Sequence, residues 1–447
     1  MDEKLYVVSL GCPKNLVDSE LMLGLLEEGG YSVCEDPEEA DLLLVNTCGF
    51  IQSAVEEGID AILELAQLKQ ERPDTLLAVC GCMVQRYGEE LKKEFPEVDL
   101  FVGTEGFQDI VSLLRDFKAG KNLPLYLAKP TFLMHSGMPR RISTPSHRAY
   151  LKVTEGCSNR CSYCLIPSLR GDLRSRPLDD LIAEARLLEK GGVKELTLVA
   201  QDLTAYGYDH GAGTPRLTDL LSGLLEGCGI PWIRMLYLYP ARIDDTLLSL
   251  VKENERILPY FDIPLQHVSS HILQAMNRPG GGGSSVDLID RIRAKLPEAA
   301  IRTTFIVGFP GERDEDVAEL EDFIRTCRLD HVGVFSYSNE EGCAAAGLTG
   351  HCSEEVKEER RKLLMEEQAR VSLSKNAAKV GTVCEVLVEG MSSETDLLLE
   401  GRTRFQAPEI DGGVYIASGI CNPGDFVRVR ITEAHPYDLV GEIIEGS

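Results

Sequence analysis

The sequence has few basic residues and no long apolar stretch. Its 447 residues include 46 Lys and Arg against 72 Asp and Glu, which gives a formal net charge of −26 at pH 7. Nucleic-acid affinity depends heavily on neutralising phosphates with basic side chains, so this balance disfavours phosphate binding and favours a basic partner. The acidity could also serve solubility alone, and composition leaves both interpretations open.

The N-terminus, MDEKLYVVSLGC, lacks both a basic leader and an apolar segment of membrane-spanning length. We therefore expect neither secretion nor membrane association, and a cytoplasmic location. The hydrophobic content of 43% is sufficient for globular domains. A chain of this length is expected to form two to four of them.

Fourteen cysteines in a reducing compartment are expected to be metal ligands or buried thiols before they are disulfides. Three of them, Cys157, Cys161 and Cys164, fall within TEGCSNRCSYC. A 4Fe–4S cluster usually has four Cys ligands, so a three-Cys loop predicts a cluster with one open iron. Zinc is the alternative, but it would more naturally show paired C-x2-C elements or nearby histidines.

The N-terminal region predicts a doubly wound parallel sheet. Short apolar runs at 5–10, 41–46 and 75–80 are typical of strands buried on both faces, and the helical pattern at 18–28 separates the first two. Each run is followed, within about two residues, by a cysteine.

Those three cysteines, Cys12, Cys48 and Cys82, should therefore converge, because ligands of open α/β sheets bind at the carboxyl ends of the strands. They predict a second cluster with an open iron. The alternative is that they are small hydrophobic residues at strand ends, as we expect for Cys34 and Cys80.

Further strand-like segments with intervening helices predict an incomplete (β/α)6 barrel with its cluster loop after the first strand. These segments are 149–154, 195–200, 233–239, 260–265, 302–308 and 332–338. A charged helix at 353–379 then leads to short strands that predict a small antiparallel β-barrel. The predicted domains are 1–120, a proline-containing linker at 121–145, 146–374 and 375–447.

The three-cysteine loop resembles that of the radical S-adenosylmethionine (SAM) enzymes. The resemblance implies that SAM chelates the open iron and that its reductive cleavage gives a 5′-deoxyadenosyl radical, which abstracts hydrogen from a C–H bond. Tyr163 matches the aromatic residue that these enzymes place near the adenine. Its alternative role is that of a packed loop aromatic.

Three N-terminal segments resemble the cluster domain of the methylthiotransferases, which are radical SAM enzymes. The segments are SLGCPKNLVDSE (9–20), VNTCGFI (45–51) and GCMVQRY (81–87). The resemblance implies two 4Fe–4S clusters, with Cys12, Cys48 and Cys82 holding the one that carries the sulfur. It also implies two SAM molecules, one giving the methyl group and one the radical, together with an electron donor and a sulfur source.

Segments of the barrel match the same family. They are IPSLRGDLRSRP (166–177), LVAQDLTAYGYD (198–209), PLQHVSSHIL (264–273) and RTTFIVGFPGE (302–312). Within them, Gln201, Asp202 and Arg302 are candidates for contacts to SAM or substrate, although ordinary loop hydrogen bonding would also account for each. No catalytic residue is assigned.

The C-terminal module resembles the TRAM domain, which is often an RNA-binding element. Its residues 375–447 include twelve acidic and six basic residues, which makes it a poor single-strand RNA binder. Four of the basic residues, Arg402, Arg404, Arg428 and Arg430, could still form a local patch.

The methylthiotransferases act either on adenosine in tRNA or on a ribosomal protein. GCPKN, VAQDLTAYG, FSYSNEEG and YDLVGEI resemble the ribosomal-protein group, and acidity suits a basic protein partner. The resemblance implies methylthiolation of an aspartate β-carbon in small-subunit ribosomal protein S twelve. A tRNA adenosine methylthiotransferase is the alternative. A non-catalytic iron–sulfur protein is a further alternative, which SAM cleavage would exclude.

Overall fold

The computed structural model describes residues 3–121, 123–278, 282–392, 395 and 397–444. Three units follow one another along the chain, and they confirm the predicted fold class: a parallel α/β sheet, an incomplete (β/α) barrel and a closed β-barrel. Within these ranges, no helix combines the length and the apolar character needed to cross a membrane.

The N-terminal unit is a six-stranded parallel sheet in the order β2-β1-β3-β4-β5-β6. Its strands are β1 (Glu3–Ser9), β2 (Tyr31–Val33), β3 (Leu42–Thr47), β4 (Leu76–Gly81), β5 (Leu100–Val102) and β6 (Leu125–Tyr126). Its helices are α1 (Pro13–Glu28), α2 (Gln52–Glu71), α3 (Cys82–Glu94) and α4 (Ile110–Lys118).

Both faces of this sheet are covered. On β3, Leu42 and Leu44 pack into the core that contains α1 and α4, whereas Leu43 and Val45 pack into the core that contains α2 and α3. Alternating side chains of one strand thus enter two cores, which is why the strand is apolar throughout.

The central unit has six main parallel strands in two sheets of order β11-β10-β7 and β12-β13-β14. A hydrogen bond from Leu258 N to Ile233 O of 2.9 Å connects the two sheets. The strands are β7 (Arg148–Lys152), β8 (Thr154–Glu155), β9 (Arg174–Ser175), β10 (Glu195–Val199), β11 (Trp232–Met235), β12 (Tyr260–Asp262), β13 (Ala300–Val307) and β14 (His331–Ser336). The short strands β8 and β9 form an antiparallel pair next to the three-cysteine loop.

Helices connect the strands of this unit. They are α5 (Ile166–Arg170), α6 (Leu178–Lys190), α7 (Leu217–Gly227), α8 (Asp245–Glu253), α9 (Ser270–Ala275), α10 (Gly282–Lys295) and α11 (Asp314–Cys327), and α12 (Glu354–Ala377) leads into the C-terminal unit.

The C-terminal unit is a closed barrel of order β15-β16-β17-β19-β18. Its strands are β15 (Val383–Met391), β16 (Leu399–Thr403), β17 (Val414–Ser418), β18 (Phe426–Ala434) and β19 (Leu439–Ile443). All neighbouring pairs are antiparallel, as predicted, except β17 and β19, which run parallel.

All three units share one core inside the central barrel. Trp232 of β11 packs edge-on against Phe426 of the C-terminal barrel, with 5.0 Å between ring centroids, and Leu21 of α1 lies in the same buried cluster. Tyr260 of β12 donates a 2.6 Å hydrogen bond to Asp411 of the C-terminal unit. These contacts fix the N-terminal and C-terminal units against the central barrel.

Candidate active site

One cavity, of about 350 Å³, lies between the N-terminal sheet and the carboxyl side of the central barrel. It is lined by both cysteine triads and by every other residue that the sequence singled out for this site: Cys12, Cys48, Cys82, Cys157, Cys161, Cys164, Tyr163, Gln201, Asp202 and Arg302. Two sets of thiols far apart in sequence therefore face one volume.

The first triad stands at the carboxyl ends of three adjacent strands. Cys12 precedes α1 after β1, Cys48 directly follows β3, and Cys82 is the first residue of α3 after β4. The order β1-β3-β4 in the sheet brings the three loops side by side, as expected for parallel strands.

Glycine permits this close approach at two positions. Gly11 has φ +91°, and a Cβ built there would lie 2.8 Å from the Cβ of Cys48. Gly81 has φ +107°, and its Cβ would lie 2.4 Å from the carbonyl oxygen of Thr47. A side chain at either position would push the cysteine loops apart.

Two cations from different units shape the electrostatics of the first triad. Burial raises the pKa of Cys48, and it raises that of Cys82 to about 12 although Arg170 Nε donates a 3.1 Å hydrogen bond to its Sγ. Burial opposes ionisation of Cys12 as well, but Lys14, neighbouring amides and Arg170 together lower its pKa. Iron binding would deprotonate all three thiols, because only the thiolate is a ligand.

The second triad lies on the loop after β7 and β8. Burial raises the pKa of Cys157 and raises that of Cys164 to about 12. Arg278 Nη1 lies 3.7 Å from the Sγ of Cys161 and donates a weak hydrogen bond to it. Each triad therefore has one guanidinium against a sulfur, which would offset the negative charge of a thiolate-bound cluster.

The three thiols of each triad are too far apart to bind a single metal ion. Across the described residues, no three His, Cys, Asp or Glu side chains are close enough to hold a single metal ion. In a 4Fe–4S cube each cysteine binds a different iron, which demands a wider spacing. The donor set of each triad, three thiols and no histidine, fits such a cluster.

Tyr163 lines the cavity and also packs against the apolar cluster of Ile272, Met276 and Phe309. Burial raises its pKa well above the usual value for tyrosine, so the phenol is neutral. The side chain is thus a packed aromatic residue at the cavity wall, and its contact with an adenine stays a prediction.

Gln201 follows β10 and has one unused polar atom. Its Nε2 donates a 3.2 Å hydrogen bond to Glu155, whereas its Oε1 is buried with no hydrogen-bond partner among the described residues. Since buried polar atoms are normally paired, this oxygen is a candidate acceptor for a bound ligand.

Asp202 and Arg302 are already paired. Asp202 accepts hydrogen bonds of 2.5 Å from Arg242 and 2.7 Å from Asn159. Arg302 of β13 donates a 2.9 Å hydrogen bond to Asp262 of β12. Both side chains line the cavity, but their polar groups are largely occupied by other protein groups, and their contacts to SAM or substrate stay a prediction.

A buried charge quartet joins α1 to the central barrel beside the first triad. It consists of Asp18, Lys152, Glu155 and Arg170. Arg170 Nη1 lies 2.5 Å from Asp18, and Lys152 contacts Asp18 and also Glu155, the latter at 2.7 Å. Burial opposes ionisation of Glu155, but Lys152 and Arg170 lower its pKa to about 2. Glu155, Lys152 and Arg170 are therefore charged at neutral pH.

The sequence reasoning missed Arg170, although it lies in the quoted segment 166–177. It also missed Tyr237 and Gln266, which line the cavity with left-handed backbone at φ 63° and φ 71°. Such conformations cost on the order of 1–3 kcal/mol and cluster at functional sites. No residue pattern predicts these backbone conformations, because tyrosine and glutamine are both ordinary residues in an extended segment.

Three family models match the chain in succession. Residues 4–103 match "Uncharacterized protein family UPF0004", residues 151–324 match the radical SAM superfamily, and residues 380–444 match the TRAM domain. The matches coincide with the three structural units.

Two solved radical SAM enzymes share the fold. One is TsrM from Kitasatospora setae, a methyltransferase, with a TM-score of 0.56 and 15% identity over 75% of this chain and 73% of that chain. The other is the cobalamin-dependent enzyme OxsB, with a TM-score of 0.51 and 11% identity over 81% of this chain and 56% of that chain.

Relatives that match along almost the whole chain are much more similar to it in sequence. Proteins of Desulfotalea psychrophila and Citrifermentans bemidjiense are 50% and 49% identical over 99% of this chain and 99% of their own length. A protein of Geobacter sulfurreducens is 49% identical with the same coverage. All three are named "Ribosomal protein uS12 methylthiotransferase RimO". The chain therefore belongs to the radical SAM methylthiotransferases, and within them to the RimO family.

Proposed function

We propose that the protein attaches a methylthio group to the β-carbon of an aspartate in ribosomal protein uS12, using two 4Fe–4S clusters and SAM. The observation that carries the proposal is the single cavity lined by both cysteine triads. A reaction that generates a substrate radical and then delivers sulfur needs both sites within reach of one carbon. The relatives named for uS12 support the choice of substrate.

Each part of the cavity has a separate task in this proposal. Cys157, Cys161 and Cys164 would hold the cluster that binds SAM, and the first triad would hold the cluster that carries the sulfur. When bound, these groups supply a 5′-deoxyadenosyl radical, a methyl group and the transferred sulfur. The net change at the substrate is replacement of one C–H hydrogen by S–CH₃.

The remaining lining residues would position SAM and keep water out. Tyr163 would lie along the adenine, and the unpaired Oε1 of Gln201 would accept a hydrogen bond from an amino or hydroxyl group of SAM. Arg302, held by Asp262, would present its positive charge to the same space. Apolar side chains such as Leu169 would exclude water from the radical.

Charge supports a basic protein as substrate over tRNA. The four arginines of the C-terminal barrel do not all face solvent: Arg402 is buried among carboxylates. Arg428 and Arg430 are exposed on β18, but the strand register places them opposite Glu385 and Glu442. Cross-strand carboxylates offset these charges, whereas a net charge of −26 would attract a basic protein.

The experiment is a product analysis of the anaerobically reconstituted enzyme with SAM, a reductant and sulfide. Reactions contain either uS12 or unmodified tRNA, and mass spectrometry of both follows. We expect one methylthio group on one aspartate of uS12. A modified adenosine with unchanged uS12 would establish the tRNA alternative instead. An electron donor, a sulfur source and a cytoplasmic setting belong to the same proposal.

A further inference from the structure

The cations that line the cavity are not equivalent. Arg170 is paired with Asp18 at 2.5 Å, and Arg302 is paired with Asp262 at 2.9 Å. Lys14 is only 8% exposed, and no carboxylate in the described part of the chain lies within salt-bridge distance of it. Its Nζ lies 3.5 Å from the centroid of the Tyr237 ring.

The local structure holds this ammonium in place. Lys14 is in the first turn of α1, two residues after Cys12. Tyr237 adopts a left-handed backbone, and its amide donates a 3.0 Å hydrogen bond to Asp262. The backbone of Tyr237 is therefore held in place, and the cation–π contact with its ring holds Nζ at the cavity wall. A buried cation that lacks an anionic partner is costly unless a ligand supplies the anion.

We propose that Lys14 binds the side-chain carboxylate of the aspartate that is modified. This inference rests on the proposed function. In aspartate the carboxylate carbon is bonded directly to the β-carbon, so it must lie beside the atom that receives sulfur. Sulfur is delivered at the first triad, and Lys14 is the cation next to Cys12 that has no carboxylate partner among the described residues. The ammonium thus selects an acidic residue and orients its β-carbon towards that triad.

Arg278 also has no carboxylate partner among the described residues, but its contacts assign it to the other triad. Its Nη2 donates a 2.6 Å hydrogen bond to the carbonyl oxygen of Pro264, and Nη1 contacts Cys161. The guanidinium stacks 4.6 Å from the Tyr239 ring centroid. It is thus held at the SAM side of the cavity.

The test is a double-mutant cycle between enzyme and substrate. Binding of uS12 and of uS12 with the target aspartate replaced by asparagine is measured for the wild-type holoenzyme and for Lys14→Met. The wild type should bind the aspartate form at least about tenfold more tightly, as expected for a charge-assisted pair. Lys14→Met should lose this preference, and Lys14→Arg should keep much of it.

Two readouts separate binding from damage to the fold. The KM for uS12 should rise in Lys14→Met, and the conservative variant Lys14→Arg should bring the KM back towards the wild-type value, which damage to the fold would not allow. If Lys14→Met keeps the preference for aspartate, or if Arg278→Met loses it instead, the role of Lys14 is refuted while the proposed function stands. If the wild type neither binds nor modifies uS12, the proposed function fails and this inference fails with it.

Discussion

Neutralising Arg170 should destabilise the protein strongly, because it unbalances the buried charge quartet. Arg170 is 4% exposed and Asp18 is fully buried. In Arg170→Met, two carboxylates, Asp18 and Glu155, would share the single ammonium of Lys152. Removing one partner from a buried ion pair costs about 3–5 kcal/mol, and we expect a loss of that size in the free energy of unfolding.

The double variant Arg170→Met/Asp18→Asn restores neutrality. Its loss should be smaller than the sum of the two single losses by about 0.5–3 kcal/mol, the usual coupling for groups in one network. Urea unfolding of the apoprotein can be followed by fluorescence of Trp232, the only tryptophan, which is 4% exposed in the core that α1 shares with the barrel.

The matched control is Arg325→Met, whose side chain is 54% exposed although it is ion-paired. It should cost less than about 1 kcal/mol. Additive losses for Arg170 and Asp18, or a loss for Arg170→Met no larger than that of the control, would refute the reasoning from charge balance.

Two further predictions concern backbone and pH. Gly81→Ala should lower the free energy of unfolding by about 3 kcal/mol or more and reduce the iron bound at the first triad, because the new Cβ would lie 2.4 Å from a carbonyl oxygen. The control is Gly30→Ala, which is also at positive φ but has nothing within 4 Å of the new Cβ. It should cost only about 1–2 kcal/mol. Burial opposes ionisation of Glu389, but its hydrogen bond with His147 and the charge of Arg402 lower its pKa to about 2. A carboxyl with a lowered folded pKa stabilises above its unfolded pKa of about 4.3, and this contribution disappears as the pH falls towards 2. Glu389→Gln should therefore lose about 2–3 kcal/mol at pH 7 and little near pH 2; a pH-independent difference in urea unfolding would contradict this.

Much of the site could be predicted from sequence because parallel strands end at one edge. Three apolar runs, each followed by a cysteine, were enough to predict convergence of the first triad. Helix α1 begins at Pro13, five residues before the predicted start, because proline is favoured in the first turn. The prediction of this helix rested on the apolar periodicity of its later turns, which the first turn does not share.

Features that depend on contacts distant in sequence could not be predicted. The apolar run 233–239 predicted a longer strand than β11, which ends at Met235 because Tyr237 turns to positive φ. The pairing of Arg170 with Asp18 joins residues of two units, and the parallel pair β17–β19 depends on how the barrel closes. None of these has a local residue pattern.

The central claim is that the two triads hold separate clusters with separate tasks around one cavity. The most direct test is to measure bound iron, 5′-deoxyadenosine and methylthiolated uS12 for two triple variants, each with one triad changed to alanine. The variant of Cys12, Cys48 and Cys82 should keep one cluster and SAM cleavage but form no product, whereas the variant of Cys157, Cys161 and Cys164 should keep one cluster and lose SAM cleavage. Methylthiolated uS12 from the first variant, or loss of all iron from either, would contradict the account.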